Sequence, residues 1–343
     1  MKWILVTITL GVILFLGGSF LIKPESGEFE PPQTIEENSQ QGKEDKSSSS
    51  FRETKEEQIR IILTGDIMLN RGVKYMVEKY GKRNFDFPFL KIANYLKGSD
   101  ILFGNLEGVI SDKGTKAGSI YSFRAEPAAI DSLTYTGFNV LSLANNHAFD
   151  YGIEALTDCL TRLKNKGINY IGAGFTKSEA YSPIVKEIKG TKIGFLAYTN
   201  LGPETWRAEG ENPGIAWISK DDFQKVGEDI KKAKEKVDIL IISLHSGKEY
   251  QKMPTQFQID FAKTAIDAGA DLVVGHHPHV TQSNKKYKNG YIFYSLGNFV
   301  FDQSFSEETM QGQVVEVIIK DKKIKEINQK EIKINAFYQP ELK

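Results

Sequence analysis

The chain has one cysteine and five histidines among 343 residues, and its 44 basic side chains are cancelled by 44 acidic ones. A lone cysteine excludes an intrachain disulfide, so cysteine usage neither demands nor forbids an extracellular location. Cys159 sits in a helical apolar pattern at 155–160, where a small buried residue is expected rather than a nucleophile. The charge balance removes any whole-chain argument for nucleic-acid binding, and no nucleic-acid partner is expected. The sequence has no internal repeat of solenoid length, no Gly-x-Ser-x-Gly elbow and no Gly-rich phosphate-binding fingerprint. These absences exclude a repeat array, a serine-hydrolase elbow and a dinucleotide-binding fingerprint.

One long apolar run is present. Residues 3–22 are uncharged and flanked by Lys2 and Lys23, close to the roughly 20 residues that cross a bilayer as a helix. A cleaved signal peptide, the rival reading, usually has a shorter apolar region and a small-residue cleavage site. Leu21-Ile22-Lys23-Pro24 offers no such site, so residues 1–23 read as an uncleaved membrane anchor. No cysteine lies nearby for a lipoprotein anchor. Lys2 and the N-terminal amine favour a cytoplasmic N-terminus. The expected placement is therefore a single pass through the cell membrane, with the bulk of the chain extracellular. Residues 24–57 are rich in Glu, Gln and Ser. They cannot bury enough apolar surface to fold and read as a disordered linker.

A folded domain is expected over 58–337, with 338–343 as a C-terminal tail. Short, fully apolar runs alternate with helical patterns at about 73–80, 153–166, 221–236 and 255–268. That rhythm predicts an α/β domain whose sheet is buried on both faces. Its two halves could form the two wings of a four-layer sandwich.

All five histidines fall in three polar motifs that follow such apolar runs. Side chains at the ends of parallel strands converge in an open α/β sheet, so a metal site is the leading expectation. Asp66, in Gly65-Asp66-Ile67-Met68, is either a strand-end ligand or a helix cap. Glu107, in Gly104-Asn105-Leu106-Glu107, could bridge two ions, and Asn105 could ligate or hold the loop. In Asn145-Asn146-His147, Asn146 can offer an amide oxygen. His147 can protonate a leaving group or bind metal, with Asp150 orienting its ring. His245 ends a very apolar strand, and Glu249 and Tyr250 lie just beyond it. His277 and His279 flank Pro278; in an extended segment both would point the same way, leaving His276 as the poorest ligand. Phe293, Tyr294, Phe299 and Phe301 are expected in the core.

These motifs, in this order, resemble the CapA family of bacterial capsule proteins, implicated in poly-γ-glutamate synthesis and export. The resemblance runs from about residue 61 to 303. It is carried by the motifs above and by Ala144-Asn145-Asn146-His147, Gly275-His276-His277-Pro278-His279-Val280 and Phe293-Tyr294-Ser295-Leu296-Gly297-Asn298-Phe299-Val300-Phe301-Asp302-Gln303. Through that family it implies a relation to calcineurin-like metallophosphoesterases: a four-layer α/β/β/α sandwich of the metallo-dependent phosphatase type with a metal site between two sheets. The implied ligands are Asp66, Glu107 as the bridge, Asn146, His245, His277 and His279. His147 would be the general acid, supported by Asp150. Asn105, Glu249, Tyr250 and Asn298 are candidate substrate contacts. The implied cofactor is a divalent metal (Zn, Mn or Fe), as one or two ions. Phosphoesterases of this type normally carry His where Met68 stands. The capsule family commonly has Trp where Ser246 stands. The implied partners are the membrane, an anionic poly-γ-glutamate polymer and membrane subunits of a polymer synthase. The alternatives are a cell-surface metallophosphoesterase acting on a small phosphoester, and a non-catalytic scaffold.

Overall fold

The computed structural model describes residues 58–117 and 119–343. The expected membrane anchor and linker lie outside these residues. No helix among the described residues is long and apolar enough to cross a membrane.

The chain opens with β1 (Ile59–Ile67), α1 (Arg71–Lys79) and β2 (Ile101–Leu106), followed by α2 (Ile130–Thr136), β3 (Val140–Ser142), α3 (Gly152–Asn165) and β4 (Asn169–Ile171). A hairpin, β5 (Ile184–Ile188) and β6 (Thr191–Thr199), leads to α4 (Phe223–Lys234), β7 (Ile239–His245), α5 (Gln256–Asp267) and β8 (Leu272–His276). Strands β9 (Asn284–Tyr287), β10 (Gly290–Phe293) and β11 (Asn298–Val300) follow. The chain closes with β12 (Gln311–Lys320), β13 (Lys323–Ile334) and β14 (Pro340–Leu342). Residues 338–343, expected as a tail, instead carry β14, which pairs antiparallel with β13. The backbone of an edge strand gains a hydrogen-bonded partner there, which six residues of tail composition do not advertise.

These strands form two mixed sheets. The first has the order β14-β13-β12-β1-β2-β3-β4, with β11 also on β1, and the second has the order β9-β10-β8-β7-β6-β5. β1–β4 run parallel, as do β6, β7, β8 and β10. β1 has two neighbours on one side. Ile59–Leu63 pair antiparallel with β12, and Asp66 and Ile67 then pair parallel with β11.

Alternation along the strands sorts side chains into layers. Ile61, Leu63, Ile101 and Phe103 of the first sheet share a core with Ile193, Phe195, Ile239 and Ile241 of the second. Phe103 stacks on Phe195 at 6.0 Å in that core. Ile62, Leu102 and Leu141 face the other way, against Leu133 of α2 and Leu156, Cys159 and Leu160 of α3. Leu196, Leu240 and Ile242 likewise face Val226 and Ile230 of α4 and Phe261 of α5. Two sheets thus share an apolar interior, and each carries helices on its outer face. Cys159 is fully buried, and burial pushes its thiol up to about 12, in keeping with a packing role. Phe293, Tyr294, Phe299 and Phe301 are buried as expected.

Candidate metal centre

The polar motifs sit where parallel strands of both sheets end. Asp66 lies near the end of β1, Asn105 near the end of β2 with Glu107 one residue past it, and His245 and His276 end β7 and β8. Asn145, Asn146 and His147 follow β3. Gly65 lets β1 approach the turn before β11, since a Cβ there would stand 2.0 Å from the Gly297 carbonyl oxygen. In that tight approach the Asp66 N–H donates to the Gly297 carbonyl at 3.0 Å. Asp66 is therefore not a helix cap; α1 begins after Asn70.

Asp66 is fully buried. Its Oδ1 accepts from the Asn105 amide at 2.8 Å, and its Oδ2 accepts from the His277 N–H at 3.1 Å. Burial pushes its carboxyl upward, but contact with His276, the neighbouring His279 and the Asn105 bond outweigh that and hold it below the usual range. Glu107 is the opposite case. Both its oxygens are buried without a hydrogen-bond partner, while His147 Nε2 and His279 Nε2 each stand 3.6 Å away. Burial, with Asp66, Glu249 and Asp150 nearby, drives its carboxyl well above the usual range. Burial and mutual crowding push His245 well down and His277 down to about 3. Burial lowers His279 as well.

Two groups of three converge here, Glu107 with His277 and His279, and Asp66 with Glu107 and His245; within each, the ligand atoms lie within 4.8 Å of one another. Neutral imidazoles with carboxylates, sharing one carboxylate that has no hydrogen-bond partner, suit a divalent cation. An unpaired buried carboxylate is otherwise costly. Asn146 joins through a 2.7 Å contact between its Oδ1 and His245 Nε2, and Asn105 contacts His245 Nδ1 at 3.1 Å. Asn145, not singled out from sequence as a site residue, holds the loop by donating to the Leu106 carbonyl at 2.8 Å and accepting from the His147 N–H.

The extended geometry expected for 277–279 is not what occurs. His277 has φ 97° and His279 φ 57°, so the backbone turns sharply after β8. Both rings nevertheless reach Glu107, because the turn rather than strand alternation aims them. Such non-glycine conformations cost about 1–3 kcal/mol each and persist only when their surroundings impose them. His276 belongs to neither triad. It is buried against Phe103, with Nδ1 3.5 Å from Asp66 Oδ1 and neither nitrogen hydrogen-bonded. Met68 is also outside both triads. It is buried in the outer core, and its sulfur accepts the Asn70 N–H.

A cavity of about 440 Å³ opens beside the triads, lined by Asn146, His147, His279, Glu249 and Tyr250 among others. His147 Nδ1 donates to Asp150 Oδ2 at 2.7 Å, and that oxygen also accepts the Phe123 N–H at 2.7 Å. Asp150 thereby fixes the ring and leaves Nε2 toward the cavity. Asn298 is buried and contacts His279 Nδ1 at 3.0 Å through its Oδ1, so it orients a histidine. Asn105 likewise sits among the triads, whereas Glu249 and Tyr250 form the exposed rim. Arg71, Phe123 and Asp302 also line this cavity and were not read from the sequence. Arg71 lies three residues past the first motif and Asp302 within the last quoted stretch, but nothing in either indicates that they meet.

A family model described as bacterial capsule synthesis protein PGA_cap matches residues 60–303. Over 273 residues the chain is 36% identical to the capsule biosynthesis protein CapA of Bacillus anthracis, covering 77% of this chain and 65% of that protein. It is 34% identical over 245 residues to the PGA biosynthesis protein CapA of Bacillus subtilis strain 168, covering 71% of this chain and 63% of that protein. The chain thus spans just under two thirds of the length of these two relatives. Among solved structures, a novel phosphatase of Mycoplasma pneumoniae aligns over 82% of this chain and 96% of its own, at 15% identity and a TM-score of 0.49.

Proposed function

The chain belongs to the bacterial capsule synthesis protein family, and from that membership and the uncharged run at residues 3–22 we propose that it is a membrane-anchored, extracellular protein. It supports synthesis, export or retention of a poly-γ-glutamate polymer. Its layered sheets are read as a metallo-dependent phosphatase-type sandwich carrying a divalent-metal site. The observation that carries the metal reading is Glu107, common to both triads and unpartnered at both oxygens. Asp66, His245, His277 and His279 would complete the ligand set, with Asn146 at its edge, and the shared carboxylate suits two ions better than one. A bound divalent ion would supply Lewis acidity toward a phosphoester or amide-type bond.

The chain's own residues do the rest. His147, held by Asp150, presents Nε2 to the cavity and can deliver a proton to the leaving group. Asn105 and Asn298 hold Asp66 and His279 in place through direct hydrogen bonds. Glu249 and Tyr250 border the substrate entrance. Membrane subunits of a polymer synthase are the proposed partners.

Metal content of the full chain, purified in detergent, tests this reading. About one or two equivalents of Zn, Mn or Fe are expected, with loss in Asp66→Ala and His277→Ala. A folded protein that takes up no added Zn, Mn or Fe would sink the metallohydrolase reading and leave a non-catalytic scaffold. A second reading, a cell-surface phosphoesterase with a small substrate, is favoured by the paired triads and the His147–Asp150 dyad. The core position of Met68 counts against a full phosphoesterase ligand set. Turnover of a small phosphoester but not of γ-glutamyl oligomers would select it.

A further inference from the structure

Arg71 is the one Lys or Arg side chain among the described residues that line the cavity. Its own backbone is in the left-handed region, at φ 47°, a conformation a non-glycine residue adopts only under constraint. The constraint is visible. Asp302 grips the guanidinium through Nη2 and, at 3.1 Å, through Nε, and its Oδ2 also accepts the Gly72 N–H at 2.7 Å. The guanidinium lies 4.8 Å from the centre of the Phe123 ring. Phe123 in turn stacks on His147 at 4.0 Å. Arg71 is thus fixed on a platform continuous with the proposed proton donor.

A guanidinium carries five N–H donors in a planar fork. Asp302 takes two of them from one side, and Nη1 makes no hydrogen bond within the described residues. The side chain is 31% exposed and lines the cavity, so it has donors left to offer there. Arg rather than Lys also matters, because only the fork can hold Asp302 on one edge and still meet a second planar anion.

We propose that Arg71, positioned by Asp302 and Phe123, is the anion-recognition residue of the cavity, and that it binds a substrate carboxylate next to the bond presented to His147. This rests on the polymer reading above and deepens it. A γ-linked glutamate chain carries one free α-carboxylate on every residue, so a carboxylate always flanks the amide at the site. Arg71 makes the cavity selective for the charged chain over a chain of the same shape without charge.

The test compares binding of a γ-linked glutamate oligomer with binding of its α-amide counterpart, using the full chain in detergent with its metal content measured. Wild type should prefer the charged oligomer. Arg71→Gln should reduce that preference by about tenfold, with metal content unchanged. Arg71→Lys retains the charge but not the fork and should fall between the two. It also decides the matter if the Gln variant fails to fold. An unchanged preference in metal-loaded Arg71→Gln, or in Arg71→Lys where Gln does not fold, would overturn the assignment and leave the polymer reading standing. Absence of any binding by wild type would overturn both.

Discussion

His147 has one nitrogen committed to Asp150 and the other aimed toward Glu107 and the cavity. His279, the other histidine lining the cavity, is fixed by Asn298 but belongs to a proposed metal triad, which leaves His147 as the proton donor. Replacing His147 with Ala should lower turnover by about 10²–10⁴-fold, the usual worth of a positioned general acid, with metal content retained. Asp150→Asn should cost less, because the ring loses its preferred tautomer but not its place. Steady-state rates beside metal analysis separate these outcomes from simple unfolding. Equal rates in wild type and His147→Ala would remove His147 from the chemistry. His277 and His279 show a different residue-scale lesson. Their sequence spacing suggested two parallel side chains on a strand, and their backbone conformations show a turn. Both rings reach the shared carboxylate because Asp66 accepts the His277 N–H and Asn298 holds the His279 ring.

At the scale of elements, α3 is anchored to the segment after β2 by Asp158. Its Oδ2 accepts from Ser111 Oγ at 2.6 Å and Arg162 Nε at 2.7 Å. Partial burial pushes its carboxyl upward, but the Arg162 and Ser111 bonds, with the Arg162 and Lys113 charges, hold it below the usual range. A depressed folded-state pKa stabilises the fold above the unfolded value of about 3.9 and loses that contribution as pH falls through the folded value. Asp158→Asn should therefore lower stability by about 1 kcal/mol at pH 7. The difference from wild type, read from urea midpoints, should shrink below about pH 4. A difference constant from pH 7 to pH 3 would show that the effect is not electrostatic. The apolar pattern of α3 and its stop at Gly167 were legible in sequence, since Gly167 takes the left-handed conformation at φ 71° that ends such helices. The tie to Ser111 was not, because it joins residues 47 apart.

For the molecule as a whole, the proposed ligands come from both sheets: Asp66 and Glu107 from the first, and His245, His277 and His279 from the second. A cation bound there would cross-link the two sheets at their polar end, while the apolar interior holds the rest. Ligand linkage then predicts about 2.7 kcal/mol of added stability at a hundredfold excess of metal over its dissociation constant. For a domain of this size that is a rise of roughly 5 °C in unfolding temperature. Chelation should reverse it, and Glu107→Gln should be insensitive to both treatments. A melting temperature indifferent to metal and chelator alike would argue against an ion joining the sheets.

The sequence alone determined the alternation of apolar strands and amphipathic helices and the placement of polar motifs at strand ends. It also placed Cys159 and the late aromatics in the core. Each of these follows from local periodicity, which burial on one or two faces imposes on neighbouring residues. Only the tertiary structure decided that Glu107 is shared by two triads, that residues 340–342 add a strand, and that Arg71 and Asp302 meet. The shared carboxylate and the Arg71–Asp302 pair depend on side chains far apart in the chain, 231 residues in the latter case, brought together by strand order and register. The last strand depends on a backbone ladder with β13. No periodicity within one segment records which strands will be neighbours.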